Sequence, residues 1–110
     1  MFRIVVIFGL CWMIVAVLGL VRASAATPSF DCDGAKTEVE RLICTDDELA
    51  ALDVKLAKMF ASALAKAPAD AVTALKASQK AWRQQLLKCG KDGNPHQCIH
   101  NAYSSRLSGS

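Results

Sequence analysis

The sequence predicts an all-α domain stabilised by disulfide bonds, and two observations predict this fold class. After Thr37, apolar residues recur at three- and four-residue steps, which is the spacing of amphipathic helices. In addition, a chain of only 110 residues carries cysteines at positions 32, 44, 89 and 98. No segment shows the alternation typical of a β-strand. We expect a small antiparallel domain built on a long helical hairpin with short flanking helices.

The first 25 residues have the composition of a secretory signal peptide. Arg3 precedes an uncharged apolar stretch over residues 4–21, and small residues lead up to a predicted cleavage site after Ala25. Cys11 lies within this stretch behind Leu10, where a lipoprotein signal would need a small residue, so we expect no lipidation there. The alternative is an uncleaved leader that remains as a membrane anchor, because about 18 apolar residues is the lower limit for a spanning helix.

Cleavage would leave residues 26–110, enough for one small domain in the periplasm or outside the cell. This length excludes a Rossmann sheet, a TIM barrel and any two-domain enzyme. The mature net charge of +1 also argues against a nucleic-acid-binding protein. We expect no cofactor.

An even number of cysteines in a short exported chain is typical of a disulfide framework. We favour the pairs Cys32 with Cys44 and Cys89 with Cys98, because each pair brackets a short segment beside a predicted helix end. The two crossed pairings remain open at the level of sequence. A zinc site at His96, Cys98, His100 and Cys89 is a further alternative, which the oxidising compartment disfavours.

Capping signals define the first two helices. Thr37 and Glu40 form a capping box that begins a short helix over about 38–44. Thr45 is the predicted cap of the longest helix, at the start of a second capping sequence over 45–48. This helix should end near Ala67 because Pro68 disfavours helical geometry in the residue before it. The apolar stripe of this helix predicts four core residues: Leu49, Leu52, Leu56 and Phe60.

Two more helices follow. Asp70 is the predicted cap of a helix over about 71–88, in which the polar Gln79 interrupts the apolar stripe. Asn94 and Pro95 are the predicted cap and first position of the closing helix. Its stripe consists of Ile99, Ala102, Tyr103, Arg106 and Leu107.

The polar residues of the mature chain do not predict a catalytic or metal site. Asp53 lies next to the apolar stripe, where burial would be costly without a partner such as Arg106, Arg83, Tyr103 or the indole N–H of Trp82. We therefore expect a structural hydrogen-bonding role for Asp53, with a lower melting temperature on its replacement by alanine. Gln79 is interpreted in the same way, as a satisfied polar spacer. His96 and His100 are expected at solvated surface positions.

Charge is segregated along the mature chain. Residues 26–53 carry a net charge of −6 and residues 54–110 a net charge of +7. Asp46, Asp47 and Glu48 form a candidate patch for a cationic partner, and the lysines of the second half could attract an anionic envelope polymer. The favoured interpretation is that folding neutralises the two halves against each other and leaves solvated helix faces.

The chain resembles a known family of exported bacterial proteins. The residues that carry the resemblance are, in chain order, Ser29-Phe30-Asp31-Cys32, Ala35-Lys36-Thr37, Glu40, Leu42-Ile43-Cys44, Leu49-Ala50-Ala51-Leu52-Asp53, Gln79, Trp82, Cys89, Cys98, Tyr103 and Arg106. They are similar to the lysozyme inhibitor LprI-like N-terminal domain family. The resemblance covers nearly all of the mature chain and implies that Asp53, Gln79, Trp82, Tyr103 and Arg106 make internal contacts.

The resemblance implies a non-catalytic binding protein that inhibits a lysozyme-type muramidase. Common animal lysozymes are strongly basic, so a binding protein with a net charge of +1 gains little electrostatic attraction to them from its overall charge. The acidic patch could compensate locally. The alternative is an envelope module that binds peptidoglycan or a membrane-protein partner, with direct membrane attachment only if the leader is uncleaved. A cell-wall enzyme is the third hypothesis.

Overall fold

The computed structural model describes residues 27–109. Within that range, four α-helices follow in order: α1 at Glu38–Thr45, α2 at Asp47–Lys66, α3 at Ala69–Leu87 and α4 at Pro95–Gly109. Short 3-10 turns at Cys32–Gly34 and Lys88–Lys91 precede α1 and follow α3. The described residues contain no strand, so the predicted all-α fold class is confirmed. The predicted signal peptide lies outside them.

Both favoured disulfide pairs are present. Cys32 is bonded to Cys44 with a Cα–Cα distance of 5.9 Å, and Cys89 is bonded to Cys98 with a Cα–Cα distance of 5.5 Å. The first bond ties the turn before α1 to the last turn of α1. The second ties the turn after α3 to the first turn of α4. The crossed pairings are therefore wrong, and the zinc alternative loses both of its sulfur ligands.

The core lies where α1, α2 and α4 meet the C-terminal end of α3. α2 packs mainly against α1 and α4, and the end of α3 contacts α1. The buried apolar side chains of the core come from all four helices and the second turn: Val39, Ile43, Leu49, Leu56, Leu86, Cys89, Ile99 and Tyr103. This packing leaves the C-terminal half of α2 and the N-terminal half of α3, which we call their distal halves, outside the core.

The position of the core explains where the predicted core list fails. Leu49 and Leu56 are buried, and the partly buried Leu52 packs against them. Phe60 is half-buried and does not belong to the core cluster. Its ring instead lines an open groove between α2 and α3.

Two predicted caps also differ from the structure. α2 is capped by Asp46, whose carboxylate accepts the Leu49 N–H, whereas Thr45 ends α1 and donates to the Arg41 carbonyl. α3 begins after Pro68, which offers no side-chain cap, so Asp70 lies within the first turn rather than before it. The capping box of Thr37 with Glu40 is confirmed.

The described residues contain no helix that is both long enough and apolar enough to cross a bilayer.

Candidate functional site

An exposed acidic surface lies at the junction between α1 and α2. The Cys32–Cys44 bond brings the first 3-10 turn beside the end of α1. Asp31 and Asp33 flank Cys32, and Asp46 lies two residues after Cys44, so the disulfide brings the two acidic segments together. We call the five acids gathered there the acidic end: Asp31, Asp33, Asp46, Asp47 and Glu48. All except Asp46 are exposed, and Asp46 is half-buried.

Asp46 is fixed by two contacts. One carboxylate oxygen accepts the Leu49 N–H at 3.0 Å, and the other lies 3.0 Å from Nε2 of His96. The hydrogen bond from the Leu49 amide, followed by the nearby His96, holds the pKa of Asp46 below its usual value. Asp46 therefore remains negatively charged while it fixes the start of α2.

A second histidine approaches the acidic end from α4. Nε2 of His100 lies 3.4 Å from Oε1 of Glu48, whose side chain is 63% exposed. Together with the contact between His96 and Asp46, this pair joins the N-terminal turn of α2 to α4. Pairs with this degree of exposure contribute about 0 to 1 kcal/mol to stability. The sequence predicted solvated histidines, whereas the structure places both of them, partly buried, against acids of the candidate patch.

Asp53 lies inside the fold, with only 4% of its surface exposed. Tyr103 on α4 donates its hydroxyl hydrogen to one Asp53 oxygen at 2.8 Å. The N–H and the hydroxyl of Ser29 both donate to the other oxygen, each at 2.6 Å. The carboxylate thus connects the segment before α1 to α2 and α4. Among the predicted partners of Asp53, Tyr103 makes the contact; Ser29 was not predicted.

The other polar residues of the predicted scaffold connect α3 to α4. The indole N–H of Trp82 donates to the Ala102 carbonyl at 3.3 Å, and the ring meets Tyr103 edge to face with a centroid distance of 5.1 Å. Nη2 of Arg106 donates to Ser78 Oγ at 3.0 Å and to Gln79 Oε1 at 3.3 Å. These contacts attach α4 to the middle of α3.

Residues 32–105 match the protein-family model described as "Lysozyme inhibitor LprI". The chain belongs to the lysozyme inhibitor LprI family. The matched region begins at Cys32 and ends after Tyr103, so it contains both disulfides and the contact between Asp53 and Tyr103. Ser29 and Arg106 lie just outside the matched region.

Curated relatives support membership of the LprI family. The chain is 34% identical over 108 residues to proteins named Lipoprotein LprI from Mycobacterium bovis and Mycobacterium tuberculosis. The alignment covers 87% of this chain and 53% of those proteins, so the chain spans about half the length of the curated relatives it matches. No solved structure matches it.

Within the LprI fold, sequence reasoning missed two members of the acidic end, Asp31 and Asp33. Their positions follow from the Cys32–Cys44 pairing, since a disulfide places its flanking residues together. Once that pairing is favoured, the acids beside Cys32 can be assigned to the same surface as Asp46. In the described part of the chain, no group of three or more histidine, cysteine or acidic side chains is arranged to hold a metal ion.

Because Tyr103 is buried beside Asp53, we expect its hydroxyl to resist ionisation. Burial, followed by the adjacent Asp53 charge, raises the pKa of Tyr103 far above its usual value. Because a raised pKa disfavours the phenolate in the folded state, folding stability is full below about pH 10 and falls as pH rises further. The chain contains one tyrosine, so absorbance at 295 nm reports this group alone.

We expect the phenolate signal to appear only together with alkaline unfolding followed by circular dichroism. The same titration in urea should show an ordinary midpoint near pH 10. A native protein that ionised at that midpoint while keeping its helical signal would contradict the buried contact.

Proposed function

We propose that this chain is an exported, non-catalytic binding protein that inhibits a lysozyme-type muramidase. The observation that carries the proposal is the match of residues 32–105 to the lysozyme inhibitor LprI family. Two disulfides in so short a chain also favour an oxidising compartment, either the periplasm or the exterior of the cell. The corresponding partner is a muramidase that attacks the cell wall.

The acidic end is the surface that we propose for contact with the enzyme. A muramidase with a basic surface would be attracted to Asp33, Asp47 and Glu48, which are exposed, and repelled by the basic half of the chain. Complementary charge accelerates association and orients the two proteins. The overall charge of the inhibitor therefore matters less than the separation of its acids from its bases.

Rigid presentation of these acids supports the same proposal. The Cys32–Cys44 bond holds the turn that carries Asp33, and the capping contact of Asp46 holds the first turn of α2. A surface fixed before binding loses less conformational entropy when the complex forms.

A cell-wall lysis assay tests both the activity and the surface. The purified exported protein should slow the lysis of a peptidoglycan suspension by a basic lysozyme in a dose-dependent manner. A double variant with Asp33→Lys and Glu48→Lys should need an inhibitor concentration at least about tenfold higher, because each change replaces an attractive charge with a repulsive one. Asp70→Lys is the matched control for each single variant, Asp33→Lys and Glu48→Lys. It makes the same charge change as either of them on an exposed residue in the first turn of α3 and should leave inhibition unchanged.

The other possible outcomes of the lysis assay each contradict a different part of the proposal. Equal losses in the double variant and in Asp70→Lys would remove the acidic end as the contact surface while leaving the inhibition itself. Absence of protection, combined with sedimentation of the protein on peptidoglycan, would replace the proposal with the envelope-module alternative. Lysis by the protein alone would show a cell-wall enzyme.

A further inference from the structure

A second surface lies at the opposite end of the domain, in the space between the distal halves of α2 and α3. α4 contacts both helices near the core, and an open groove with a volume of 270 Å³ lies between α2 and α3 beside it. The lining is apolar on both sides and polar only near the end of α4. The lining residues are Leu56, Met59, Phe60, Ala63, Leu75, Gln79 and Arg106.

The groove gathers several of the large apolar side chains of this alanine-rich part of the domain. Met59, Phe60, Ala63 and Leu75 are all partly exposed in the groove. Apolar side chains that line a concave surface are typical of a ligand site, since a bound apolar group removes their surface from water.

Arg106 supplies a positive charge at the inner end of the groove. Its Nη2 contacts two neutral oxygens, those of Ser78 and Gln79. A guanidinium has five N–H donors, and no acid among residues 27–109 lies within ion-pair distance of Arg106. A half-buried cation that contacts only neutral acceptors favours an anion beside it.

Lysines follow several of the lining residues along α2 and α3. Lys76 and Lys80 directly follow the lining residues Leu75 and Gln79 on α3, and Lys66 follows Ala63 by about one turn on α2. Between residues 54 and 109, the acids are Asp70 and Asp92 alone, against nine bases. The groove therefore combines an apolar wall with a positive electrostatic potential.

We propose that this groove binds a free long-chain carboxylate, that is, a fatty acid, with its chain against Met59, Phe60 and Leu75 and its head group at Arg106. A carboxylate matches the planar donor pair of a guanidinium, which can bind both oxygens at once. The volume of 270 Å³ lies just below the range of about 300 to 1,000 Å³ for drug-sized ligands, so it suits one acyl chain rather than a two-chain lipid. This site is separate from the acidic end and does not depend on the proposed inhibition.

Titration of the purified exported protein with laurate, kept below its micelle-forming concentration, tests the proposal. Binding should saturate at one laurate per chain and should shift the NMR signals of the methyl groups of Leu75 and Met59. Dodecyltrimethylammonium, which has the same chain length and the opposite charge, should bind at least about tenfold more weakly. Circular dichroism recorded in parallel should show unchanged helix content.

Three variants locate the site. Arg106→Gln should weaken laurate binding at least about tenfold, whereas Lys91→Gln removes the same charge from the turn after α3, away from the groove lining, and should change it less than twofold. Ala63→Phe fills the groove while leaving Arg106 in place, so it keeps the test decisive if Arg106→Gln weakens folding. It should abolish saturable binding.

Several results would overturn the proposal. They are an absence of saturable laurate binding, equal binding of the cationic amphiphile, equal losses in Arg106→Gln and Lys91→Gln, or full binding by Ala63→Phe. Sedimentation with phosphatidylglycerol vesicles in the absence of laurate binding would also overturn it, and would assign this surface to a bilayer instead.

Discussion

Replacement of Asp53 by alanine should lower the melting temperature of the oxidised protein by about 10 to 20 °C. The change removes three hydrogen bonds to a charged acceptor and leaves the buried Tyr103 hydroxyl without its partner. Loss of such a buried partner costs about 2 to 4 kcal/mol. In a domain of 60 to 100 residues, each kcal/mol shifts the melting temperature by about 4 to 8 °C. Thermal unfolding followed by circular dichroism measures the shift.

Two further variants separate the hydrogen bonds from the general effect of an acid-to-alanine change. Tyr103→Phe removes only the hydroxyl contact with Asp53, so it should cost about 1 to 2 kcal/mol, less than the loss of the carboxylate. Asp70→Ala, at an exposed position of α3, should change the melting temperature by only a few degrees. If Asp53→Ala melted at the wild-type temperature, the carboxylate would have no structural role and its burial would need another explanation.

The Asp53 contacts also show which hydrogen bonds can be predicted from the sequence and which cannot. An acid next to an apolar stripe had to find a partner, and Tyr103 belonged to the predicted set because aromatic hydroxyls on a neighbouring helix are common partners. Ser29 could not be predicted in the same way. It lies in an irregular segment without periodicity, and only the packing of that segment against α2 brings its N–H and hydroxyl to the carboxylate.

Local signals predicted local structure well and distant contacts poorly. The capping box at Thr37 and the end of α2 before Pro68 follow from neighbouring residues alone, and both are confirmed. The contact of His96 with Asp46 joins residues from two different helices, so neither helix pattern contains it. Phe60 continues the apolar stripe of α2, as predicted, but the stripe does not show which of its side chains the neighbouring helices cover.

Removal of the Cys89–Cys98 bond by a double alanine change should destabilise the domain more than removal of the Cys32–Cys44 bond. The two bonds close loops of similar length, since their cysteines are nine residues apart in Cys89–Cys98 and twelve in Cys32–Cys44. Loop entropy alone therefore gives each bond about 3 kcal/mol of stabilisation, with slightly more for Cys32–Cys44. Burial reverses that order. Cys89 is 3% exposed and belongs to the core cluster, whereas Cys32 is exposed. Deletion of a sulfur from the core adds roughly 1 kcal/mol for the cavity that remains.

Chemical denaturation of the two double variants, each compared with the wild type under oxidising conditions, measures this order. We expect a loss of about 4 kcal/mol without the Cys89–Cys98 bond and about 3 kcal/mol without the Cys32–Cys44 bond. A protein that lacks both bonds should be largely unfolded, because the combined loss is comparable with the about 5 to 15 kcal/mol that stabilises a typical domain. If the two single-bond variants ranked in the opposite order, loop entropy would outweigh core packing, and Cys89 would contribute to the fold only through its bond to Cys98.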